Sequence, residues 1–240
     1  MFNRKRSQPE IFGNYDWWEK GCLLRQMTDD RGDYIQSCIE RVYGKGALAQ
    51  QEILEVGSGG GLLCEDLARR GCIMEGIEPV EGALYTARLH ARKQGLGQNI
   101  HYAQGTGEAL PYADGSFSTI ICLDVLEHVA DLKRTIEEIA RVLAPGGIFV
   151  FDTINRTLLA RAILIWFGER FPPSGLVPGL HDYHHFIKPR ELTALLAACD
   201  LRVCEVTGFL PRGFKHGRFS MAPGGLKTVA YVGYAIKTAR

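Results

Sequence analysis

The stretch EILEVGSGGG, residues 52–61, decides the fold. Ile53, Leu54 and Val56 make a short apolar run, the length of a buried strand. Glycines at 57, 59, 60 and 61 follow at once. Glycine admits positive φ and lets a ligand come close to the backbone. LLCEDLARRG, residues 62–71, comes next with apolar residues at helical spacing, and it stops at Gly71, a fitting residue just past a helix end. A strand, a glycine loop and a helix open an α/β sheet whose ligands bind beyond the carboxyl ends of the strands.

The alternation continues outward. CIMEGI (72–77), IHYAQG (100–105), FSTIICL (117–123) and IFVFDTI (148–154) read as strands. VEGALYTARLHARKQG (80–95) and LKRTIEEIARVL (132–143) read as helices, the second with an apolar stripe of Leu132, Ile136, Ile139, Val142 and Leu143. APGG (144–147) turns the chain before the fifth strand. Residues 192–198 read as a helix, and RVCEVTGF (202–209) and KTVAYVGYAI (227–236) as two final strands with no helix between them. LPRGFKHGRFSMAPGG (210–225) reads as a long loop, a length that points to function. Residues 12–48 read as two helices, the second over 31–43. The expected fold is α/β, a Rossmann-like seven-stranded, mostly parallel sheet with one antiparallel strand and helices on both faces. Residues 1–48 are expected to form an N-terminal helical cap for cofactor and substrate. Residues 49–240 are expected to form the main domain, with an inserted apolar segment at 157–187.

The 240 residues suit one such domain with additions. A net charge of +1 gives no electrostatic case for a nucleic-acid partner. The seven cysteines show no CxxC spacing, which argues against a zinc knuckle or redox dithiol and suits a reducing, cytoplasmic setting. The opening MFNRKR is basic, but no apolar run follows it, so no signal peptide is expected. AILIWFG (162–168) falls far short of the roughly 20 residues that span a bilayer.

The glycine loop excludes two common ligands. A dinucleotide fingerprint needs G-x-G-x-x-G, but from Gly57 the third glycine falls on Leu62, and from Gly59 on Cys64. A phosphate-binding P-loop needs G-K-[ST], and no lysine follows these glycines. Glu55 would repel a pyrophosphate and suits a cationic ligand. Glu78, after the second strand, is spaced to accept hydrogen bonds from a ribose diol.

EVGSGGG (55–61), Glu78, GTGEALPYADGSF (105–117) and the LAPGG before the fifth strand together resemble the class I S-adenosylmethionine-dependent methyltransferases. The resemblance implies S-adenosyl-L-methionine as cofactor. It would be bound by Glu55, Gly57, Ser58, Gly59, Glu78, Pro79, Thr106, Gly107, Glu108 and Leu123. Thr106 stands where that family usually has an Asp for the adenine amino group, and a hydroxyl accepts more weakly than a carboxylate. LDVLEHV (123–129), TINRT (153–157), GLHDYHHFIKPREL (179–192) and WWEKGCLLRQMTDDRGDYI (17–35) narrow the resemblance to the ubiquinone-biosynthesis O-methyltransferases. That family methylates catechol-type prenylated intermediates. Arg25, Thr28, His184 and His185 depart from its usual residues, which leaves a non-prenylated small molecule as the alternative acceptor.

A phenolic hydroxyl has a pKa near 10 and must lose its proton to become a good nucleophile. Asp124, Glu127 and His128 stand at i, i+3 and i+4, one face of a helix, and are the candidate catalytic residues. Three roles stay open for them: a metal site, His128 as an unaided base, or the first turn of an ordinary helix. The resemblance associates this motif with Mg²⁺ or another divalent cation. Arg31, Asn155, His181 and His185 are candidates for the substrate. Residues 157–179 are the most apolar surface candidate. Ile163–Phe167 could pack on the sheet or touch the inner face of a membrane, with Arg161 and Arg170 toward anionic headgroups.

Overall fold

Side-chain alternation in the first strand sets the layers. In the computed structural model, which describes residues 8–49, 51–171, 176–215 and 218–239, β1 (Glu52–Val56) sends Ile53 to one apolar layer and Leu54 and Val56 to the other. This is the period-two pattern of a strand covered on both faces. β1 lies parallel between β2 (Ile73–Glu78) and β4 (Phe117–Cys122). β3 (Ile100–Gln104) extends the sheet beyond β2, and β5 (Leu143–Ile154) beyond β4, both in parallel. β8 (Ala230–Lys237) inserts antiparallel between β5 and β6 (Leu201–Lys215), and β7 (Arg218–Pro223) adds antiparallel to β6. The order is β3-β2-β1-β4-β5-β8-β6-β7. Connections leave β1 and β4 on opposite sides, so a crevice opens at their carboxyl ends.

The sheet therefore has eight strands among the described residues, one more than expected. The extra strand comes from the 210–225 stretch, where Pro211 and Gly213 read as breakers. Pairing of β6 with β8 ends at Gly208, so Pro211 lies where only β7 flanks it, and a register shift falls between Pro211 and Gly213. An edge and a bulge are where a strand tolerates proline and glycine. A second shift absorbs the APGG turn, which lies within β5 rather than before it, between the Phe117–Leu143 and Thr119–Ile148 pairs.

After α1 (Gln8–Gly13), α2 (Leu23–Tyr43), α3 (Leu62–Arg69) and α4 (Glu81–Lys93) cover one face through Ile35, Ile39, Leu67 and Leu84. α5 (Leu132–Val142) and α7 (Pro189–Ala198) cover the other through Ile136, Ile139, Leu192 and Leu196. α2 begins at Leu23 rather than Arg31. Its TDDRGD run reads as polar punctuation, yet Asp30, Arg31 and Asp33 have tertiary partners. Asp30 accepts from the backbone of Met221 at 2.7 Å. A Cβ on Gly32 would lie 2.0 Å from Asp66 Oδ2, so the glycine lets α2 cross α3 closely.

The apolar segment is two-sided. α6 (Leu158–Ala160) runs into a π-helical stretch, Arg161–Phe167, and a 3₁₀ turn, Gly168–Arg170. Ala160, Leu164 and Ile165 face inward onto Ile154, Tyr183 and Phe186. Leu158, Trp166 and Phe167 face outward and are 74%, 57% and 63% exposed. Residues 172–175 of this segment, and the basic MFNRKR start, lie outside the described residues. Among the described residues, no helix is long and apolar enough to cross a membrane.

Candidate active site

The glycine loop turns at the end of β1 because Gly57, Gly59 and Gly61 take φ of +78°, +51° and +82°. The amides of Gly57 and Ser58 donate to the Ile77 carbonyl at 2.8 and 3.0 Å, which ties the loop to the end of β2. There Glu78 is buried, and its carboxylate accepts from the amides of Gly59 at 3.1 Å and Val80 at 3.0 Å. Burial raises its pKa, and these two bonds partly oppose the rise. Glu55, also buried, accepts from Cys64 Sγ at 2.8 Å. Burial pushes its carboxyl up to about 8. Ser58 Oγ is buried and has no hydrogen-bond partner among the described residues.

These groups line a cleft of about 620 Å³. All ten expected cofactor residues, from Glu55 to Leu123, border it. Glu108 has a second task, because its carboxylate accepts from the amides of Ala130 at 2.8 Å and Asp131 at 3.4 Å and so clamps the loop after His128. Trp17 roofs the glycines: a Cβ on Gly59 or Gly60 would lie 2.6 or 2.2 Å from its side chain. Trp18 Nε1 donates to the Gly60 carbonyl at 3.1 Å. The N-terminal segment thus packs directly over the loop, a contact that the WW pair signals in the sequence.

The same cleft is lined by Arg31, Asp124 and His128. Here the expectation of a helix fails. Leu123–Ala130 is a turn, with one His128–Val125 backbone bond of 2.7 Å. Asp124 takes φ of +54°, uncommon for any residue but glycine and a conformation often found at functional sites. The three side chains therefore diverge. Asp124 pairs with Arg31 Nη2. Glu127 turns inward, where Thr153 Oγ1 donates to its Oε2 at 2.7 Å and its Oε1 is buried without a partner among the described residues. Burial, then the nearby Asp124, raises the Glu127 pKa. His128 stays at the cleft wall, and burial, followed by His181, lowers its pKa to about 4. No group of three His, Cys, Asp or Glu among the described residues is arranged to hold a metal ion. Asp124 Oδ2 meets Arg31 and Glu127 Oε2 meets Thr153, and the expected Asp124–Glu127–His128 metal set is not assembled among the described residues.

Arg31 is the resident cation. Its Nε donates to Asp152 Oδ2 at 3.0 Å while Nη2 meets Asp124. Asp152 Oδ1 accepts from the Asp124 amide at 2.5 Å. Burial works against the guanidinium charge, but the two aspartates outweigh it and hold its pKa above the ordinary value. Sequence reading missed Asp152, which sits inside the IFVFDTI strand. A carboxylate in a buried strand was the available signal, because it needs a partner.

The other substrate candidates divide. His181 lies 5.6 Å from His128, ring centroid to centroid. Its Nδ1 meets Glu169 Oε1 at 3.0 Å. Glu169 was also missed, and it accepts from the amides of Gly179 at 2.7 Å and His181 at 2.8 Å. Burial opposes its charge, yet the bonds from His181 and Gly179 hold its pKa below the ordinary value. His185 is exposed. Asn155 does not border the cleft: its side chain donates to the Lys227 carbonyl and its amide to Val229 at 2.8 Å. It closes the strand end instead.

A glycine loop at the switch point, a buried acid one strand over and a cationic-ligand acid beneath the loop define an S-adenosylmethionine-dependent methyltransferase. Residues 54–151 match the methyltransferase domain family. The ubiquinone biosynthesis O-methyltransferase of Dinoroseobacter shibae is 36% identical over 203 residues, 81% of each chain. That of Coxiella burnetii is 36% identical over 196 residues, 80% of each chain. The chain belongs to this O-methyltransferase family. Among solved structures, a SAM-dependent methyltransferase from Aquifex aeolicus shares the fold, with a TM-score of 0.65 at 15% identity over 97% of this chain and all of that one. The magnesium protoporphyrin IX methyltransferase of Synechocystis shares it at a TM-score of 0.62 and 17% identity, over 89% of this chain and 86% of that one.

Proposed function

We infer that the enzyme methylates a catechol-type hydroxyl on a polyprenylated ubiquinone precursor. The observation that carries this reading is the cleft itself. Glu55, the glycine loop and Glu78 line the same cleft as Asp124 and His128, together with Phe12, Trp17, Leu24 and Val125. S-adenosylmethionine fits beside the glycine loop: Ser58 Oγ lacks a partner among the described residues, and the carboxylate of Glu78 can accept from a diol on lone pairs its two amides leave unused. A positively charged ligand beside Glu55 would restore that carboxyl's charge, which burial alone suppresses. The cofactor supplies a methyl carbon activated by its sulfonium.

The protein's part is to align the acceptor oxygen with that methyl, keep water out and take a proton. His128 takes the proton, because it is neutral at physiological pH and borders the cleft. Its low pKa favours a hydroxyl already made acidic by its surroundings. No step is assigned to a divalent cation, since Asp124, Glu127 and His128 are not grouped to hold one among the described residues. The outward face of Leu158, Trp166 and Phe167, with Arg161 stacked 5.4 Å from the Trp166 ring, supports peripheral contact with a membrane that holds a lipophilic acceptor. Two assays test the reading. Methyl transfer to a prenylated catechol should exceed transfer to plain catechol. Trp166→Ser with Phe167→Ser should weaken binding to anionic liposomes while leaving transfer to a water-soluble catechol intact. Equal rates on both acceptors would favour the non-prenylated alternative.

A further inference from the structure

Glu55 is buried and forms no ion pair among the described residues. Arg31 is the cation that acts on it, but the Arg31 guanidinium is bound to Asp124 and Asp152. Glu78, on the neighbouring strand, adds like charge. Support comes instead from the first turn of α3. Cys64 is fully buried there, and its Sγ donates to Glu55 Oε2 at 2.8 Å. Burial, followed by the Glu55 charge, holds the thiol pKa well above its ordinary value, so the sulfur keeps its hydrogen and stays a donor. Glu55 lines the cleft, whereas Cys64 does not. The thiol therefore meets the carboxylate from behind the lining, and the helix that carries it begins where the glycine loop ends.

We propose that Cys64 is a positioning residue for the cofactor, holding one oxygen of Glu55 so that the carboxylate meets the ligand's positive charge from the cleft wall. A hydrogen bond to the ionised form favours that form. The Cys64 S–H therefore strengthens the attraction between Glu55 and a cation, and it acts only through Glu55. The chemistry recognised is a sulfonium or an ammonium, the two positive groups of S-adenosylmethionine. A neutral adenosine derivative gains nothing from the pair. This inference rests on Glu55 meeting the cofactor, as read above.

Calorimetry with two ligands tests it. S-adenosylmethionine carries the positive charges, and 5′-methylthioadenosine keeps the nucleoside and lacks them. Cys64→Ala should weaken S-adenosylmethionine about three- to tenfold, less than a full bond to a charged group because a thiol is a weak donor. Binding of 5′-methylthioadenosine should be unchanged. Cys64→Ser keeps a donor and should restore the affinity for S-adenosylmethionine. An equal loss for both ligands, or no recovery with serine, would mean that Cys64 only fills space under the loop, and the proposal would be overturned. In a Glu55→Gln background, Cys64→Ala should cost S-adenosylmethionine nothing further, because the group it serves is gone. Glu55→Gln alone separates the two layers of the argument. If it weakens S-adenosylmethionine while Cys64→Ala does not, the positioning role falls and the cofactor reading of Glu55 stands. If it weakens nothing, that reading falls and the proposal falls with it. Should Cys64→Ala fail to fold, Cys64→Val, closer to the thiol in volume, carries the same comparison. No methyl acceptor enters these measurements, so failure to methylate a catechol would leave their outcome unchanged.

Discussion

Arg31→Met is the most informative perturbation of the scaffold under the cleft. Methionine keeps the length and apolar stem of arginine and removes the charge. Asp152, 2% exposed, then loses its Nε bond and keeps one partner, the Asp124 amide. Removing one member of a buried ion pair costs about 3–5 kcal/mol, because the other charge stays buried alone. Asp124 adds little, since its side chain is 32% exposed and water screens it. The expected loss is therefore about 3 kcal/mol at neutral pH, nearly all from Asp152. The sign of its pH dependence follows. Burial and Asp124 already raise the Asp152 pKa, and loss of Arg31 raises it further. At low pH a proton neutralises the orphaned carboxyl, so the loss should shrink toward about pH 5 and grow toward about pH 8. Urea unfolding of both proteins at these two pH values measures it. A loss below about 1 kcal/mol at both, or a larger loss at the lower pH, would refute the reasoning.

Other predictions follow from the same geometry. Gly57→Ala places a Cβ 2.3 Å from Val125 Cγ2 at a φ of +78°. It should destabilise by about 1–2 kcal/mol for the backbone and about 1–3 kcal/mol for overpacking, read by thermal unfolding. Glu78→Gln removes the charged acceptor beside the glycine loop and should weaken S-adenosylmethionine binding about 10- to 100-fold by calorimetry, with the circular dichroism spectrum unchanged. Glu55 and Glu127 keep their protons up to about pH 8 in the folded chain and release them near 4.5 when it unfolds. The folded state then binds more protons between those values, so stability should fall as pH rises from about 6.5 to about 8.5. His128 acts oppositely, since its folded pKa of about 4 lies below the unfolded value of 6.5. Its effect is confined to lower pH, where stability is lost as pH falls.

The sheet was legible because its signals are local. A strand buried on both faces must be apolar throughout, and a ligand loop at its end must be glycine, so β1 and residues 57–61 announce both the fold and the cofactor end. The acceptor end was less legible because long-range pairing decides it. Spacing of 124, 127 and 128 predicts one helical face, but Asp152 and Arg31, distant in sequence, hold Asp124 in a left-handed turn and spread the three side chains. β7 escaped notice for a related reason: Pro211 and Gly213 break central strands but are tolerated at the edge this chain supplies. Glu169 sits in a segment that reads as purely apolar surface, and nothing local ties it to His181 twelve residues on.

The central claim is that one cleft joins S-adenosylmethionine to a catechol hydroxyl. The direct measurement is transfer of labelled methyl from S-adenosylmethionine to a prenylated catechol, with the product identified by mass. The account predicts a singly O-methylated product whose formation is reduced in Glu78→Gln at cofactor concentrations that just saturate the wild type and recovers at higher cofactor, and is sharply reduced in His128→Asn despite normal cofactor binding. A protein that binds the cofactor yet labels no catechol oxygen, or a His128→Asn variant with full activity, would contradict it.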